Sequence, residues 1–517
     1  MAQTHSPSSV EYEKIALQRI KPLYAKIRAC IEGSVTVKEG RTNYLPHPDP
    51  LTAKDQMGIE RYTNYLFRAV FYNITGNTVK GMLGQIFARD PVLKLPTQLE
   101  PMAEDVNGSG HSLFQQSRAV TEDTIALGRH GLLTDYPRVE GPVSQADIAN
   151  GVIRPMILNF KPENIINWRE SFVGNRRKYT LIVLRDEADS VTESEDDFSE
   201  DKSEVYRELR LIPDETGTNY SYWMRFWSQD EEGGPLLAHE WVQPKKADNS
   251  PFDEIPFSFV GADNNDSTLD DPPMRDIAEL NLAHYVNSAE YEESVFMVGQ
   301  PTPWMAGLNR DWVENVLKGE KIVLGSRVAV KLPQGASMGL LQAQPNGMAK
   351  EAMDTKERQM VALGARIVEQ REVQRTATEY GGDKATQTSI LATISRNVTA
   401  AYLKCLNWAC DFTGVSYDDV EFELNTDFEL ARMTPEEVAQ IVAAWQTKAI
   451  SFTEMRFNLK KGGIAYQEDE DMRAEADTDP NAQGLNLDDN PEPGSNGNNP
   501  EDNPDDNPDG STERSTD

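Results

Sequence analysis

The most metal-like stretch of the chain is Asp105-Val-Asn-Gly-Ser-Gly110. Asp105, Asn107 and Ser109 put oxygen-bearing side chains at loop positions one, three and five, with glycine at six, as in a calcium-binding hand. Position twelve would then be Gln116, whose neutral amide cannot supply the bidentate carboxylate. The competing reading is a glycine-rich turn, with Ser112 capping a helix that begins near Leu113. No other spacing singles out a reaction. There is no G-x-x-x-x-G-K-[ST] loop, no G-x-G-x-x-G after a strand, no G-x-S-x-G elbow and no H-E-x-x-H, and His239-Glu240 lacks its second histidine. The six histidines are scattered, and Cys30, Cys405 and Cys410 form no metal-ligand pair. Carboxylates are too abundant for any two to stand out as an acid–base pair. The expectation is a chain that is not an enzyme and holds no cofactor and no metal.

Two groups bear on nucleic acid. Arg176-Arg177-Lys178, with Arg169 nearby, could touch phosphate, or could balance the acidic run Asp186–Glu204. Trp168, Trp223, Trp227 and Trp241 could stack bases, or fill the core of a sheet.

The elements that must position these residues centre on Asp271–Phe412. A long helix follows Pro272-Pro273, with Met274, Ala278, Leu282, Tyr285, Ala289 and Phe296 at helical spacing. A second carries Ala349, Met353, Met360, Leu363 and Ile367 on one face, and a third Leu391, Ile394, Val398, Ala401, Cys405, Trp408 and Phe412. Helices this long with one narrow stripe each need partners, and another copy of the chain would serve. Between the first two, the spacing predicts a helix over Arg310–Lys318 and strands at Lys321–Leu324, Arg327–Leu332 and Met338–Leu341. Gln374–Lys384 breaks the periodicity and contains Gly381-Gly382.

Upstream, Val10–Ile31 reads as a helix closed by Gly33, and Asp55–Phe87 as two helices broken near Asn73–Gly76. A further helix runs to Gly128. Alternation then predicts strands at Met156–Phe160, Tyr179–Leu184, Val205–Ile212, Tyr220–Trp227 and Leu236–Val242, with Asp186–Glu204 as a solvated loop. Downstream, Val420–Phe428 alternates as a strand. Thr434-Pro-Glu-Glu437 and Ser451-Phe-Thr-Glu454 are capping boxes that open two short helices.

The formal net charge of the 517 residues is −33, which repels nucleic acid from most of the surface. From Glu468 onward there are 17 acidic residues and two arginines, a composition that builds no core. Three sparse cysteines argue for a reducing compartment. The N-terminal Met-Ala-Gln-Thr-His-Ser lacks the basic and apolar regions of a signal peptide, and no window approaches a membrane span. The expectation is a chain made and used in a cytoplasm, without a membrane partner.

The order of helix, small insert, helix, mobile loop and long helix resembles the tailed-bacteriophage portal, or head-to-tail connector, proteins. Local stretches also look like a portal-related family of uncharacterised phage proteins: Tyr65-Leu-Phe-Arg-Ala-Val-Phe-Tyr-Asn, Asp105-Val-Asn-Gly-Ser-Gly, Gly128-Arg-His-Gly-Leu-Leu-Thr-Asp-Tyr-Pro, Ile165-Ile-Asn-Trp-Arg, Leu280-Asn-Leu-Ala-His-Tyr, Leu363-Gly-Ala-Arg and Thr376-Ala-Thr-Glu. The likeness spans Asp55–Gly414, and the shared order of the stretches makes it specific. The acidic tail has no counterpart in that family, and Asp186–Glu204 looks like an insertion.

The resemblance implies an α+β portal-type fold with wing, long-helix stem, small α/β clip and helical crown, assembling as a ring. By position, residues 1–11 would be a disordered N-terminus, 12–273 the wing, 274–298 the first stem helix and 299–348 the clip. Residues 349–373 would be the second stem helix, 374–385 the tunnel loop, 386–419 the long wing helix, 420–466 the crown and 467–517 a disordered tail. Leu282, Tyr285, Ala289, Met353, Met360 and Leu363 would face neighbouring subunits. Asn309, Arg310, Asp311, Trp312, Glu314 and Lys318 would meet partners at the clip. Arg375, Thr376, Thr378, Glu379, Tyr380, Gly381, Gly382 and Lys384 would line the DNA channel.

The implied function is a ring, usually of twelve copies, at one capsid vertex of a virion, assembled in the host cytoplasm. Double-stranded DNA would pass through it without sequence recognition during packaging and ejection. The implied partners are the terminase large subunit, then a head-completion or adaptor protein, with the major capsid and scaffolding proteins around the ring. The alternatives are another head-tail adaptor or minor head protein, or a metal-dependent DNA-processing enzyme.

Overall fold

The structure, a computed structural model, describes residues 9–136, 154–189, 202–217, 219–228, 236–299, 302–317, 332–341, 347–368, 389–426, 428, 435–447 and 449–461. It is a mixed α+β chain that divides into two units, Met1–Phe428 and Glu429–Asp517.

The first unit opens with helix α1, Ile15–Glu32, which buries Leu17, Tyr24, Ile27 and Cys30. It stops at Gly33, whose φ of 106° lies in the range that favours glycine. Helix α2 is Ser34–Glu39. Helices α3, Gln56–Arg68, and α4, Ile74–Ile86, flank an irregular break. Asn73 ends that break by capping α4 through Gly76 N at 2.7 Å. Strand β1, Val92–Lys94, and the single turn α5, Pro101–Glu104, follow. Helix α6, Leu113–Leu127, has a full capping box between Ser112 and Gln115 and ends at Gly128 in the left-handed region.

Strands β2, Arg129–Asp135, and β3, Met156–Phe160, then form an antiparallel pair. Strands β4, Ile165–Val173, β5, Arg176–Asp189, β6, Lys202–Pro213, β7, Tyr220–Ser228, and β8, Leu237–Ala238, form a five-stranded antiparallel sheet in chain order. Strand β9, Phe257–Gly261, returns beside β2, so the smaller sheet runs β3-β2-β9. The Trp168 and Phe259 rings meet edge-on between the two sheets, 5.8 Å apart.

Helix α7, Arg275–Gly299, has 25 residues and is therefore about 37 Å long. Strands β10, Thr302–Ala306, and β11, Ser337–Leu341, pair antiparallel in the insert. Helix α8, Met348–Val368, returns along α7. Helix α9, Ile390–Thr413, is capped by Ser389 and closed by Gly414 in the left-handed region. It packs across β2 and β9, where Thr134 donates to the Cys405 carbonyl at 3.1 Å. Strand β12, Glu421–Glu423, pairs with β1.

The second unit contains α10, Pro435–Gln446, and α11, Phe452–Lys461. Their Trp445 and Phe452 rings meet at 5.9 Å. Glu454 closes the Ser451 capping box, accepting from Ser451 N at 2.8 Å.

Several expectations change. The strand expected at Val420–Phe428 is three residues long, Glu421–Glu423, and pairs with β1. The run Asp186–Glu204 is not wholly a loop: its ends continue β5 and β6, which stay paired out to Asp189 and Lys202. The helix expected over Arg310–Lys318 is one α-turn, Arg310–Trp312, running into a wider turn over Val313–Leu317. The strands expected at Lys321–Leu324 and Arg327–Leu332 fall on residues that, up to 331, lie outside the described ones.

Candidate functional site

The block with most functional content is the α7–insert–α8 pair and its seat on α1, α3 and α4. The buried residues of α7 are Ile277, Ala278, Asn281, His284, Tyr285, Ser288 and Ala289, one helical face on which apolar and polar side chains alternate. The polar ones hold the break between α3 and α4. Asn281 Oδ1 accepts from Thr75 N at 3.1 Å and from the Thr75 hydroxyl at 2.9 Å, and its Nδ2 donates to the Tyr72 carbonyl at 2.8 Å. Ser288 Oγ accepts from Val70 N at 3.2 Å. Buried backbone groups in an irregular segment need such partners. Spacing does not reveal these residues, because polar members of a buried face break the apolar stripe.

Helix α8 is tied to α7 at two points. His284 Nε2 lies 3.2 Å from Glu357 Oε1, and Lys356 Nζ donates to Asn287 Oδ1 at 2.5 Å. Beyond them, α7 ends in exposed side chains: Val295 at 47%, Phe296 at 41% and Met297 at 55%. Val361 and Met348 on α8, and Trp304, Leu340 and Leu341 on the insert strands, are also exposed. Arg68 covers one face of Phe296 at 4.4 Å and pairs with Glu293.

The residues expected to face neighbouring subunits divide. Tyr285, Ala289 and Met360 are fully covered within the single chain, because α1, α3 and α4 supply the partner surface that the sequence left open. Leu282, Met353 and Leu363 are half-buried and keep a free face. In the insert, Asn309 Oδ1 caps the short turn through Trp312 N at 2.8 Å, and Arg310 pairs with Glu314 at 2.9 Å. Asp311 and Glu314 are exposed, Trp312 is half-buried and Lys318 lies outside the described residues. The channel residues Arg375, Thr376, Thr378, Glu379, Tyr380, Gly381, Gly382 and Lys384 also lie outside the described residues.

The metal-like loop is a turn. Asp105 Oδ1 accepts from Gly108 N at 2.8 Å and Gly110 N at 3.0 Å, while Oδ2 pairs with Arg154 at 2.5 Å. Gln116 faces inward, bonding the Ile157 carbonyl at 2.7 Å and the Tyr402 hydroxyl at 3.0 Å. Among the described residues, no group of three or more His, Cys, Asp or Glu is placed to hold a metal. Two members of the basic cluster meet acids outside the run Asp186–Glu204. Arg177 lies 3.7 Å from Glu170, and Lys178 pairs with Asp253 at 2.6 Å. Trp168 fills the core at 3% exposure and donates to the Ser267 carbonyl at 2.9 Å. Trp223, Trp227 and Trp241 are half-buried on the larger sheet.

Two further features were not legible in spacing. Arg28, on α1, joins Asp123 at 2.9 Å and Glu163 at 2.6 Å beside a cavity of about 300 Å³ that His130, Asn159 and Lys161 also line. Burial would raise the Asp123 carboxyl, but His130 and Arg28 outweigh it and hold it well below the usual range. Arg129 is buried between the Trp168 and Phe259 rings, and burial brings its guanidinium down to about 10. Gly335-Ala-Ser-Met-Gly339 spells G-x-S-x-G, but Ser337 starts strand β11 opposite Ala306 instead of standing at a strand-to-helix turn.

Residues 273–413 match a family model described as a domain of unknown function (DUF4055), which covers α7, the insert, α8 and α9. No protein of curated function matches the sequence. The chain is similar to chains in two solved particle necks. One is the neck of an empty GTA particle solved with C6 symmetry, at 13% identity and TM-score 0.38, covering 77% of this chain and 91% of that one. Another is the neck of a native GTA particle solved with C12 symmetry, at 14% identity and TM-score 0.37, covering 77% and 93%. A chain from the virion of a native gene transfer agent particle matches at 12% identity and TM-score 0.36, over 78% and 94%. Among the described residues, no helix is long and apolar enough to cross a membrane.

Proposed function

We propose that this chain is the repeating subunit of a portal-type ring, a head-to-tail connector through which double-stranded DNA enters and leaves a phage-type capsid. The observation that carries the reading is the α7–α8 pair. Two long helices, seated on α1, α3 and α4, carry an insert whose Trp304, Leu340 and Leu341 stay exposed, as do Phe296, Met297 and Val361 on the helices. Apolar side chains spread over one element pair mark a surface completed by another molecule. The order of elements supports the portal reading, in which α7 and α8 form the stem, the insert the clip and α9 the long helix of the wing.

On this reading, the chain carries no catalysis. It supplies the channel, and the packaging motor supplies the energy. Asn309, Arg310, Asp311, Trp312 and Glu314 form the clip surface that meets the terminase large subunit and then an adaptor. Arg375 and Lys384 stand in the channel wall as a weak, salt-sensitive contact with phosphate.

The deciding experiment is native mass measurement with negative-stain imaging of the purified full chain. The expected result is a closed ring, of about twelve copies, with a wide crown and a stem. A monomer, or an assembly without a channel, would overturn the reading. Incubation with DNA and magnesium or manganese checks the non-enzymatic part, where reproducible cleavage would defeat it. Arg375→Ser with Lys384→Ser, in an in vitro packaging system, should leave rings intact and alter DNA filling or retention.

A further inference from the structure

The five-stranded sheet is polar in charge along its own length. Cross-strand register places Arg169, Leu181, Arg210 and Trp223 in one row over β4, β5, β6 and β7. The next row is Asn167, Val183, Glu208 and Arg225. Residues directly opposite one another share a face, and so do alternate residues of one strand. Arg169, Arg210, Trp223, Arg225 and Trp227 therefore stand on one side of the sheet.

That side is tied together by one buried carboxylate. Glu208, 3% exposed, accepts from Arg225 Nε at 2.7 Å and Trp227 Nε1 at 2.8 Å, and it also pairs with Arg210. The Arg225 guanidinium lies between the Trp227 ring at 4.6 Å and the Trp241 ring at 4.3 Å. One carboxylate thus answers two guanidiniums. The Arg210 side chain remains 47% exposed, and Arg169 is exposed at the other end of its row. On a chain of net charge −33, this is a positive face studded with tryptophan, the residue types that dominate binding hot spots.

The same hairpin carries the opposite charge at its far end. Strand β4 last pairs with β5 at Leu184, and β7 with β6 at Tyr206, but β5 and β6 stay paired to Asp189 and Lys202. Residues 186–204 hold ten acidic side chains and one lysine. At about 3.4 Å per residue, Asp186 lies about 17 Å and Asp189 about 27 Å along the strand from Leu181. The described strands therefore run away from the arginine row as they approach Asp189 and Lys202. A surface with a positive face at one end and an acidic segment at the other fits head-to-tail contact, in which each copy uses both.

We propose that the Arg169–Arg210–Trp223–Arg225 face receives the acidic segment 186–204, which links β5 to β6 in the sequence, of a second copy of this chain. The proposal rests on the ring reading, because head-to-tail contact is what links successive copies around a ring.

The test uses the full chain in three forms. The first is Arg169→Glu with Arg210→Glu. The second reverses the segment with Glu193→Lys, Glu195→Lys, Asp196→Lys and Asp197→Lys. The third combines both sets. Native mass and sedimentation, with thermal melts as a folding control, should show each single set raising the concentration needed for assembly at least about tenfold. The combined chain should assemble as the wild type does, because complementarity is restored with the signs exchanged. Assembly by either folded single set at wild-type concentrations would overturn the docking while leaving the ring reading in place. Failure of the folded combined chain to recover would overturn it as well. A wild type that stays monomeric at low salt would remove both readings together.

Discussion

Asn281, in the middle of α7, and Thr75, in the first turn of α4, are joined twice, through the Thr75 backbone N–H at 3.1 Å and its hydroxyl at 2.9 Å. Both residues are fully buried. Asn281 also holds the Tyr72 carbonyl at 2.8 Å, so one amide fixes both sides of the break between α3 and α4. Asn281→Leu would strand a buried N–H and a buried carbonyl. It should cost about 2–4 kcal/mol, read as a lower urea midpoint with an unchanged slope. A loss under about 0.5 kcal/mol would show that the break does not depend on this clamp.

The three thiols offer a check on burial. Desolvation raises Cys30 and Cys405 to about 12, and Cys410 to about 11. The reactive species is the thiolate, so at pH 8 the native chain should resist iodoacetamide on all three. Denaturant should release three titratable thiols per chain. Rapid labelling of native Cys405 would contradict the packing of α9 on β2.

Asp123 makes stability depend on acid. Its folded pKa is depressed, so its contribution is present above the unfolded value of about 3.9 and is lost as pH falls through the folded value. Asp123→Asn removes the charge at every pH. At pH 7 it should be less stable than wild type by about 1–3 kcal/mol, and the gap should narrow as pH falls below about 4. Urea unfolding at pH 7 and pH 3 measures both. A gap that stays constant would mean that Asp123 acts through shape and not through charge.

Where one periodicity ruled an element, it was legible. All seven stripe residues expected on the third long helix are buried along α9, and the Ser112 cap and Ser451 capping box stand where they were read. The strands that escaped notice lack alternation. Every residue of β9, Phe257–Gly261, is buried, so it shows no polar face, and β4 turns polar after Trp168. The candidate site was legible as a helix pair but not as a buried face. Asn281, His284 and Ser288 interrupt the apolar stripe in the sequence, and their burial shows only when α3 and α4 are placed against them. No local pattern could show that Tyr285 and Met360 are covered by segments far away in the chain.

Leu282 and Tyr285 stand about one turn apart on α7 and differ in how far the single chain covers them. Tyr285 is fully buried, and its hydroxyl has no hydrogen-bond partner among the described residues. Tyr285→Ala should cost about 3–5 kcal/mol through the cavity it leaves, in monomer and ring alike. Tyr285→Phe should be neutral or slightly stabilising, since it removes an unsatisfied polar atom without changing shape. Leu282 is half-buried, so a longer polar side chain there can reach water in an isolated chain. In a ring whose stem helices meet, Leu282→Glu would bury an unpaired carboxylate at every interface. The expected outcome is a chain with a near wild-type melting temperature that no longer forms rings by native mass. Intact rings of Leu282→Glu would move the subunit contact off this face of α7, whereas a collapse in melting temperature would make Leu282 part of the core.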